Sequence, residues 1–512
     1  MAEALSKETG GLDVLEIAGK RYTKLHKNLW RCAWGEHFDL DLDLPIPDKV
    51  DEEVILEHVR RHGFRGGEMG SCLRYCLPSK RRYFDLAYTN APRRRRDVPT
   101  PAYWNRGFEE QVLSLALGQG ADFVVVTPNA ALDAMGAETH TYLPDGVCAV
   151  SVGVCFRQPE GADTTAPARA YLLETAAYDV ARALERAGYS AVCDTAFPEK
   201  LLHGSLAGIP QGWRVQTATL FTSAPLTPTG HTLSFVPHPS PSPEQSAARL
   251  KQLLSEWGAD LVGIAPAETL AALKPHLEPL FAGQVRLHAR DRSMRFREYD
   301  PEVREEPASI LTPEEHLRGA RSVIVLGLRL PRATVERVAL PPAEAVGPYA
   351  FAQYQAANQL RWMAYRAIRW LEDRGYRGAL TFDLCGTGSF VGNPRGEQPD
   401  AFCNRFAAVA AGLARLGRAG FPLTPDLGPN VRFAAIVTDA EVAPDTGVHP
   451  AVREVRSACE GCTRCLEACP TAAIGPEVSV PVRGLPERFH VVDRTRCDWA
   501  KRYSLIGEEG VN

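Results

Sequence analysis

The chain of 512 residues contains two copies of one sequence pattern, and this repeat limits its fold more than any other feature. Four blocks of the first copy match four blocks of the second copy in the same order. The clearest match joins AYDVARALERAGY, from Ala177, to AYRAIRWLEDRGY, from Ala364, which share Ala-Tyr, Arg, Leu-Glu and Gly-Tyr. The other matched blocks begin at Ala121 and Ala259, at Cys148 and Ser322, and at Thr219 and Ala435. Four matches in one order predict an internal duplication.

The matched blocks predict a mixed α/β (α+β) fold for each copy. The blocks at Cys148 and Ser322, for example, are short apolar runs of the kind that forms buried strands. The Ala-Tyr blocks place apolar residues at helical spacing and end in Gly, a usual helix stop. Each copy is therefore predicted as strand, helix, strand, helix, strand. A duplicated unit of this kind is expected to form a pseudo-dimer with a cleft between its halves.

Changes in composition divide the chain into four predicted domains. The boundaries are a basic run between Pro92 and Pro99, interpreted as a solvated linker, and a Pro/Ser segment before a predicted helix start near Ser242. The predicted domains are an N-terminal arm with a ferredoxin remnant (1–104), a first, degenerate repeat (105–240), a second, corrinoid-binding repeat (241–446) and an iron–sulfur tail (447–512). The second copy is longer, and its insert after Thr381 makes it the predicted working half.

Composition and charge argue against several classes of function. A net charge of −4 gives no sign of a nucleic-acid surface. The sequence shows no secretory signal and no stretch of about 18 uninterrupted apolar residues, so neither export nor membrane insertion is expected. With 13 Cys and no export signal, the chain is predicted to be cytoplasmic and to use cysteines in metal or redox chemistry.

The tail contains the most specific chemical motif, ACEGCTRCLEACP. Its cysteines have the spacing C-x2-C-x2-C-x3-C-P, which is typical of a [4Fe-4S] cluster, and they are Cys459, Cys462, Cys465 and Cys469. Zinc is the main rival, since cysteine-rich sites also bind it, but this tight spacing followed by Pro470 favours iron–sulfur. The tail is therefore predicted to be a ferredoxin-like domain.

In two-cluster ferredoxins the fourth Cys of such a run ligates the other cluster, so a second set of ligands is expected. Cys497 and the arm residues Cys72 and Cys76 are the candidates, with Cys32 as a further one. Either the arm completes the ferredoxin fold and two clusters are present, or Cys72 and Cys76 are remnants and one cluster is present. The other cysteines are predicted to be small buried hydrophobes: Cys148, Cys155, Cys193, Cys385 and Cys403.

The segment 402–442 resembles a signature of epoxyqueuosine reductase and the cobalamin-dependent reductive dehalogenases. The motif is an Arg-containing helix, an AGLG-type turn, a Thr-Pro loop, a Gly-x-x-x-Arg turn and a strand that ends in Thr-Asp. The resemblance implies a nitroreductase-like domain that holds a corrinoid next to the clusters. It implies the following cofactor-binding residues: Arg405, Gly412, Gly417, Thr424, Gly428 and Arg432. The alternative is that the glycines only shape tight turns.

Two departures from the family pattern bear on the reaction. The aromatic residue that usually follows the AGLG turn is absent, because Ala414 and Arg415 stand there. The acidic residue that serves the epoxyqueuosine reductases as proton donor is represented by Asp400, two positions away in a gap-free alignment, so Asp400 is the candidate catalytic residue. CGTGSFVG, from Cys385, lacks the helix start that a dinucleotide-binding loop needs and is not interpreted as one.

These patterns predict an iron–sulfur oxidoreductase that depends on a corrinoid. Its electron donor is expected to be a protein such as a ferredoxin or flavodoxin, and its substrate a small molecule or modified nucleoside. The first alternative is a [4Fe-4S] electron-transfer protein without a catalytic site. The second is a nitroreductase-like flavin site.

Overall fold

The computed structural model describes residues 14–17, 20–23, 104–159, 163–194, 206–207, 209, 211–229, 231–232, 238–281, 285–289, 301–307, 310–337, 346–385, 390–391, 398–399, 403–445, 447, 450–469 and 472–493. The chain divides into two compact units. We call residues 93–242 with 361–380 the small unit, and residues 1–92, 243–360 and 381–512 the large unit. Both units mix helices with antiparallel sheets, which confirms the predicted mixed α/β class.

The small unit is built on a four-stranded antiparallel sheet. Its strands, in spatial order, are Phe123–Pro128, Cys148–Arg157, Trp213–Thr222 and Ala191–Asp194. The strand Cys148–Arg157 is buried from Cys148 to Phe156 because almost all its side chains are small or apolar. Helices Arg106–Gly118 and Ala166–Arg186 share the core of this sheet through residues such as Val112 and Leu172.

The large unit provides three strands of the second four-stranded sheet. The strands of this sheet, in spatial order, are Leu261–Pro266, Ser322–Arg329, Val431–Thr438 and Gly378–Thr381, and the first three lie wholly in the large unit. The helix Pro243–Glu256 begins next to Ser242, as predicted. The other α-helices before the tail are Ala267–Ala271, Lys274–Phe281, Pro313–His316, Arg332–Arg337, Val346–Glu372, whose last part belongs to the small unit, and Arg405–Ala410.

The two sheets have the same strand order and the same register. In each sheet, the first residue of the second strand pairs with two others. On one side its partner is the last residue of the first strand, and on the other side it is the last residue of the strand that comes fourth in the chain. These residues are Pro128, Cys148 and Thr222 in the small unit and Pro266, Ser322 and Thr438 in the large unit. The sequence blocks align the same residues with one another.

The helices of the Ala-Tyr blocks also end in the same way. Gly188 and Gly375 both adopt the left-handed conformation, with φ of +88° and +86°. The N–H of the next residue then donates to a leucine carbonyl one turn back, at 3.1 Å in both helices. This hydrogen bond closes the helix end, so the two predicted helix stops are confirmed.

The tail contributes an antiparallel hairpin, Ile474–Val482 with Leu485–Val492, to the large unit. Its side chains Val480, Val482 and Phe489 are buried in the same core as Phe406 and Phe433. The ring centroids of Phe406 and Phe489 lie 5.7 Å apart in an edge-to-face arrangement. The tail hairpin is thus part of the large unit's hydrophobic core.

The remaining elements are short. They are the helices Asn129–Ala134, Thr139–Thr141, Pro450–Glu454, Val455–Cys459 and Arg464–Glu467, and the paired strands Val14–Ile17 with Lys20–Thr23, Leu206–Ala207 with His231–Thr232, Val285–Ala289 with Pro301–Pro307, Phe390–Val391 with Gln398–Pro399, and Arg415–Leu416 with Pro422–Leu423. Within the described ranges, no helix combines the length and the apolar character that a membrane crossing requires.

Four of the five cysteines predicted to be core residues are buried: Cys148, Cys155, Cys385 and Cys403. Burial raises the pKa of Cys148 to about 11 and that of Cys155 and Cys385 to about 12, so these thiols stay protonated near neutral pH. The prediction is wrong for Cys193, which is exposed. Cys193 lies on the last strand in the spatial order of the small unit's sheet, where its Sγ donates to the Ala177 carbonyl at 3.7 Å.

Candidate functional site

The candidate site lies in the large unit, where the segment from Arg405 to Arg432 meets the cysteine tail. Arg405 begins the short helix that opens this segment. It follows Asn404, a residue in the left-handed conformation whose side chain accepts a hydrogen bond from Leu384 N and donates one to the Thr381 carbonyl. These two buried bonds fix where the helix starts.

Arg405 lies inside the protein, with only 2% of its surface exposed. Its Nη1 donates to the Gly420 carbonyl at 3.2 Å. The guanidinium carbon lies 5.1 Å from the ring centroids of both Phe406 and Phe489. The aromatic rings and the Gly420 carbonyl therefore stabilise the positive charge of Arg405.

Gly412 ends the same helix and faces a tail residue. Its φ of +74° is left-handed, and a Cβ placed there would lie 2.7 Å from Nη1 of Arg483. Arg483, at the turn of the tail hairpin, also donates to the Asp445 carbonyl at 2.7 Å. The missing side chain of Gly412 thus makes room for Arg483.

A buried ion pair holds the next turn against the tail hairpin. Arg415 Nε donates to Glu487 Oε1, and the Leu416 N–H donates to Glu487 Oε2 at 2.8 Å. Glu487 has no exposed surface. Burial raises the pKa of its carboxyl, while the Leu416 amide and Arg415 act in the opposite direction. Arg415, which follows the AGLG-type turn, is therefore part of a buried ionic contact.

Gly417 brings this turn against the cysteine segment. A Cβ on Gly417 would lie 2.8 Å from Leu423 Cδ1 and 3.5 Å from the sulfur of Cys459. Next to it, Arg418 Nη1 donates to the Cys462 carbonyl at 2.7 Å. Arg418 thus contacts the proposed cluster segment directly, and the missing side chain of Gly417 leaves room for Leu423 and Cys459.

The four cysteines lie on one short segment built from two helical turns, Val455–Cys459 and Arg464–Glu467. All four thiols are half-buried, and none forms a disulfide bond within the described residues: Cys459, Cys462, Cys465 and Cys469. Residue type and spacing fit an iron–sulfur cluster, and Arg418 and Arg456 supply nearby positive charge that suits an anionic cluster. In the part of the chain that the structure describes, no three His, Cys, Asp or Glu side chains are close enough together to hold a metal ion. Cluster binding by these cysteines stays a prediction.

Thr424 and Gly428 form the next turn. Each backbone N–H donates to the other residue's carbonyl at 3.0 Å, and Gly428 has a φ of +57°. The Thr424 hydroxyl also donates to the Gly428 carbonyl at 3.1 Å. The turn is therefore closed by its own hydrogen bonds.

Arg432, near the start of the strand Val431–Thr438, makes contacts that the sequence did not predict. Its Nη2 donates to the Tyr349 hydroxyl at 2.9 Å, and its Nε donates to Gln353 Oε1. Tyr349 and Gln353 are four residues apart on the helix Val346–Glu372, on one face of it. That spacing was the only sequence signal for them, and it is too common to identify a site.

Several predicted site residues lie outside the described ranges: Asp400, Cys497, Cys72, Cys76 and Cys32. Their predicted roles stay predictions. The structure therefore brings Gly417 together with Cys459 and Thr424 together with Gly428. It places Arg405 among aromatic rings and Gly412 under Arg483.

Comparisons with known proteins agree with the motif. A tetrachloroethene reductive dehalogenase from Desulfitobacterium hafniense is 33% identical over 150 residues, which cover 27% of this chain and 24% of that protein. A tetrachloroethene reductive dehalogenase from Sulfurospirillum multivorans is 40% identical over 67 residues, 13% of each chain. The predicted resemblance to this superfamily is confirmed. The chain spans about a quarter of the length of the first of these relatives.

Solved structures of the superfamily are more distant. A B12-dependent reductive dehalogenase has 14% sequence identity and a TM-score of 0.33, with 79% of this chain and 70% of that chain covered. An epoxyqueuosine reductase with a tRNA stem loop has 20% identity and a TM-score of 0.28, with 45% and 52% covered. No protein-family model matches the chain.

Proposed function

We propose that this protein is an iron–sulfur oxidoreductase of the reductive dehalogenase and epoxyqueuosine reductase type. It would pass electrons from a [4Fe-4S] cluster on the cysteine segment to a corrinoid on the turns between Gly417 and Arg432. The hydrogen bond from Arg418 to the Cys462 carbonyl, at 2.7 Å, supports this proposal most directly, because it joins the turn after Gly417 to the cysteine segment. Short separation is what electron transfer between two centres requires.

The chain's own residues would hold the cofactors. Cys459, Cys462 and Cys465 would ligate one cluster, with Cys469 or an arm cysteine completing the set. Gly417 and Gly428 would let a corrinoid approach the backbone closely, since glycine has no side chain, and Thr424 would hold the turn in shape. When bound, the corrinoid supplies the difficult bond cleavage. Asp400 remains the proposed proton donor, and a ferredoxin or flavodoxin the proposed electron donor.

We also infer that the two units arose by duplication of one segment. The equal strand order, the equal register and the equal helix ends support this inference, because each involves the residues that the sequence blocks align. The second copy keeps the site segment as an insert between its third and fourth strands, from 382 to 430. The first copy has a shorter connection there, from 195 to 212.

Metal analysis of the protein purified without oxygen, from cells supplied with cobalamin, tests the proposed function. We expect about four iron atoms per chain for one cluster, or about eight if the arm completes a second, together with about one cobalt atom. Iron without cobalt would sink the corrinoid reductase and favour an electron-transfer protein. Zinc in place of iron would sink the iron–sulfur assignment altogether.

Changing Arg418 to glutamine is expected to make the cluster's reduction potential more negative without loss of iron. Arg418 places a positive charge at the Cys462 carbonyl, and this charge favours the added electron. Glu477, at 3.8 Å from Arg418 Nε, offsets part of that charge, so we expect a shift of roughly tens of millivolts. Redox titration followed by electron paramagnetic resonance measures it.

The matched control is Arg488→Gln, which removes an exposed charge from the tail hairpin, the element that also carries Glu477. It should leave the potential nearly unchanged, because solvent screens exposed charges. Equal shifts in the two variants would mean that Arg418 has no special influence on the cluster.

A further inference from the structure

Arg432 is a buried cation that hydrogen-bonds to neutral side chains. Only 8% of its surface is exposed, and the hydrogen-bond partners that the structure describes for it are the amide Gln353 and the hydroxyl of Tyr349. Among the residues that the structure describes, no Asp or Glu forms an ion pair with it. A buried guanidinium without a counter-charge is costly, so the described part of the site is electrostatically incomplete.

Gln353 adds a second unfilled position beside this cation. The residue is 3% exposed, and its Oε1 accepts from Arg432. Its Nε2 is buried and donates no hydrogen bond within the described part of the chain. An unpaired buried donor destabilises the folded protein, which makes an acceptor the expected occupant. Arg432 and the Nε2 of Gln353 could therefore both be satisfied by a negatively charged hydrogen-bond acceptor.

A second Arg–Gln pair, Arg169 with Gln216, lies in the small unit. Arg432 occupies the position of the large unit's sheet that Gln216 occupies in the small unit's sheet, since Leu328 and Val154 are their register partners. Gln216 Oε1 accepts from Nε of Arg169, on a helix of the small unit, at 3.0 Å. Each unit therefore has one strand-to-helix Arg–Gln contact, with the two residue types exchanged.

In the small unit, the charge of the arginine is neutralised by a carboxylate. Arg169 is 2% exposed, and its Nη1 donates to Asp163 Oδ1 at 3.1 Å. Its Nη2 pairs with Oδ2 of the same carboxylate. The arginine thus meets a carboxylate through both terminal nitrogens, the arrangement that suits a planar guanidinium best. Within the described residues, Arg432 lacks the corresponding carboxylate.

We propose that Arg432, with Gln353 and Tyr349, binds the carboxylate group of a small organic ligand. The ligand's carboxylate would take the place that Asp163 takes in the small unit, and it would accept from Arg432 and from Gln353 Nε2. This inference rests on the proposed function in one respect only. If the protein is a reductase, the carboxylate belongs to its substrate.

Thermal unfolding of the full-length protein with sodium benzoate as the probe tests this site. We expect saturating benzoate to raise the unfolding temperature by about 3 °C or more, because a ligand that binds only the folded state stabilises it. Benzamide, the neutral analogue, should have no effect at the same concentration. Inorganic phosphate at equal ionic strength should have a smaller effect than benzoate. Arg432→Gln should abolish the benzoate effect.

A second pair of variants keeps the test valid if Arg432→Gln does not fold. Gln353→Glu supplies the missing carboxylate from within the chain, so it should raise the unfolding temperature without benzoate and remove the response to benzoate. Its matched control, Gln216→Glu, adds a carboxylate beside Arg169, which Asp163 already neutralises. This control should not raise the unfolding temperature and should keep the benzoate response.

Three results would overturn the proposal. They are no response of the wild type to benzoate, an equal response to phosphate, and a benzoate response that persists in Gln353→Glu. None of these measurements needs bound iron or cobalt. A failure of the benzoate test would therefore leave the metal analysis of the proposed reductase unaffected, and a failure of the metal analysis would leave this site standing.

Discussion

Replacing Cys462 by serine is expected to lower the iron content from about four atoms per chain to less than about one. Cys462 is the second ligand of the predicted cluster, and its carbonyl is held by Arg418. A serine oxygen is a poor substitute for a thiolate in an iron–sulfur cluster. Iron and sulfide analysis of the anaerobically purified protein, with its visible absorption, measures the loss.

The matched control for this experiment is Cys193→Ser. Cys193 is a free, exposed cysteine of the small unit that belongs to no cluster motif. The control should keep its full iron content. If Cys462→Ser also kept its iron, the cluster would not be bound by the C-x2-C-x2-C-x3-C segment. A parallel Cys72→Ser variant tells whether the arm supplies ligands, since a drop from about eight irons to about four would identify a second cluster.

Replacing Glu487 by alanine is expected to destabilise the large unit by roughly 3–5 kcal/mol. The substitution leaves the Arg415 guanidinium buried without its counter-charge and the Leu416 N–H without its acceptor. Breaking one side of a buried ion pair costs far more than breaking an exposed one. Urea unfolding followed by circular dichroism measures the loss of stability.

The exposed pair Arg332–Glu336 provides the comparison. Its side chains are 73% and 58% exposed. Glu336→Ala is therefore expected to change stability by less than about 0.5 kcal/mol. A loss of less than about 1 kcal/mol in Glu487→Ala would show that the buried pair does not hold the turn against the tail hairpin.

In the sequence, the repeat predicted three of the four strands of each sheet, because its blocks contain them, but not the strands Ala191–Asp194 and Gly378–Thr381. Aligning Cys148 with Ser322 and Thr222 with Thr438 places residues that have the same partners in their own sheets. Gly188 and Gly375 were predicted as helix stops because their local chemistry decides the conformation. These features depend on short stretches of chain, so they can be read without a structure.

The site was harder to predict because its contacts join distant parts of the chain. Gly412 was singled out by a motif, but the residue that fills the space over it, Arg483, lies 71 positions further along. Tyr349 and Gln353 belong to no motif, and only the packing of their helix brings them to Arg432. Cys193 is exposed, which its local apolar pattern does not encode.

The burial of Val480, Val482 and Phe489 in the large unit's core has an evolutionary consequence. Ferredoxin-type segments are often gained, lost or exchanged between proteins as separate modules. In this protein the hairpin that follows the cysteines supplies side chains to the core of the large unit. Recombination that removed the cysteine segment together with this hairpin would also remove part of that hydrophobic interior, so we expect the two to be inherited together.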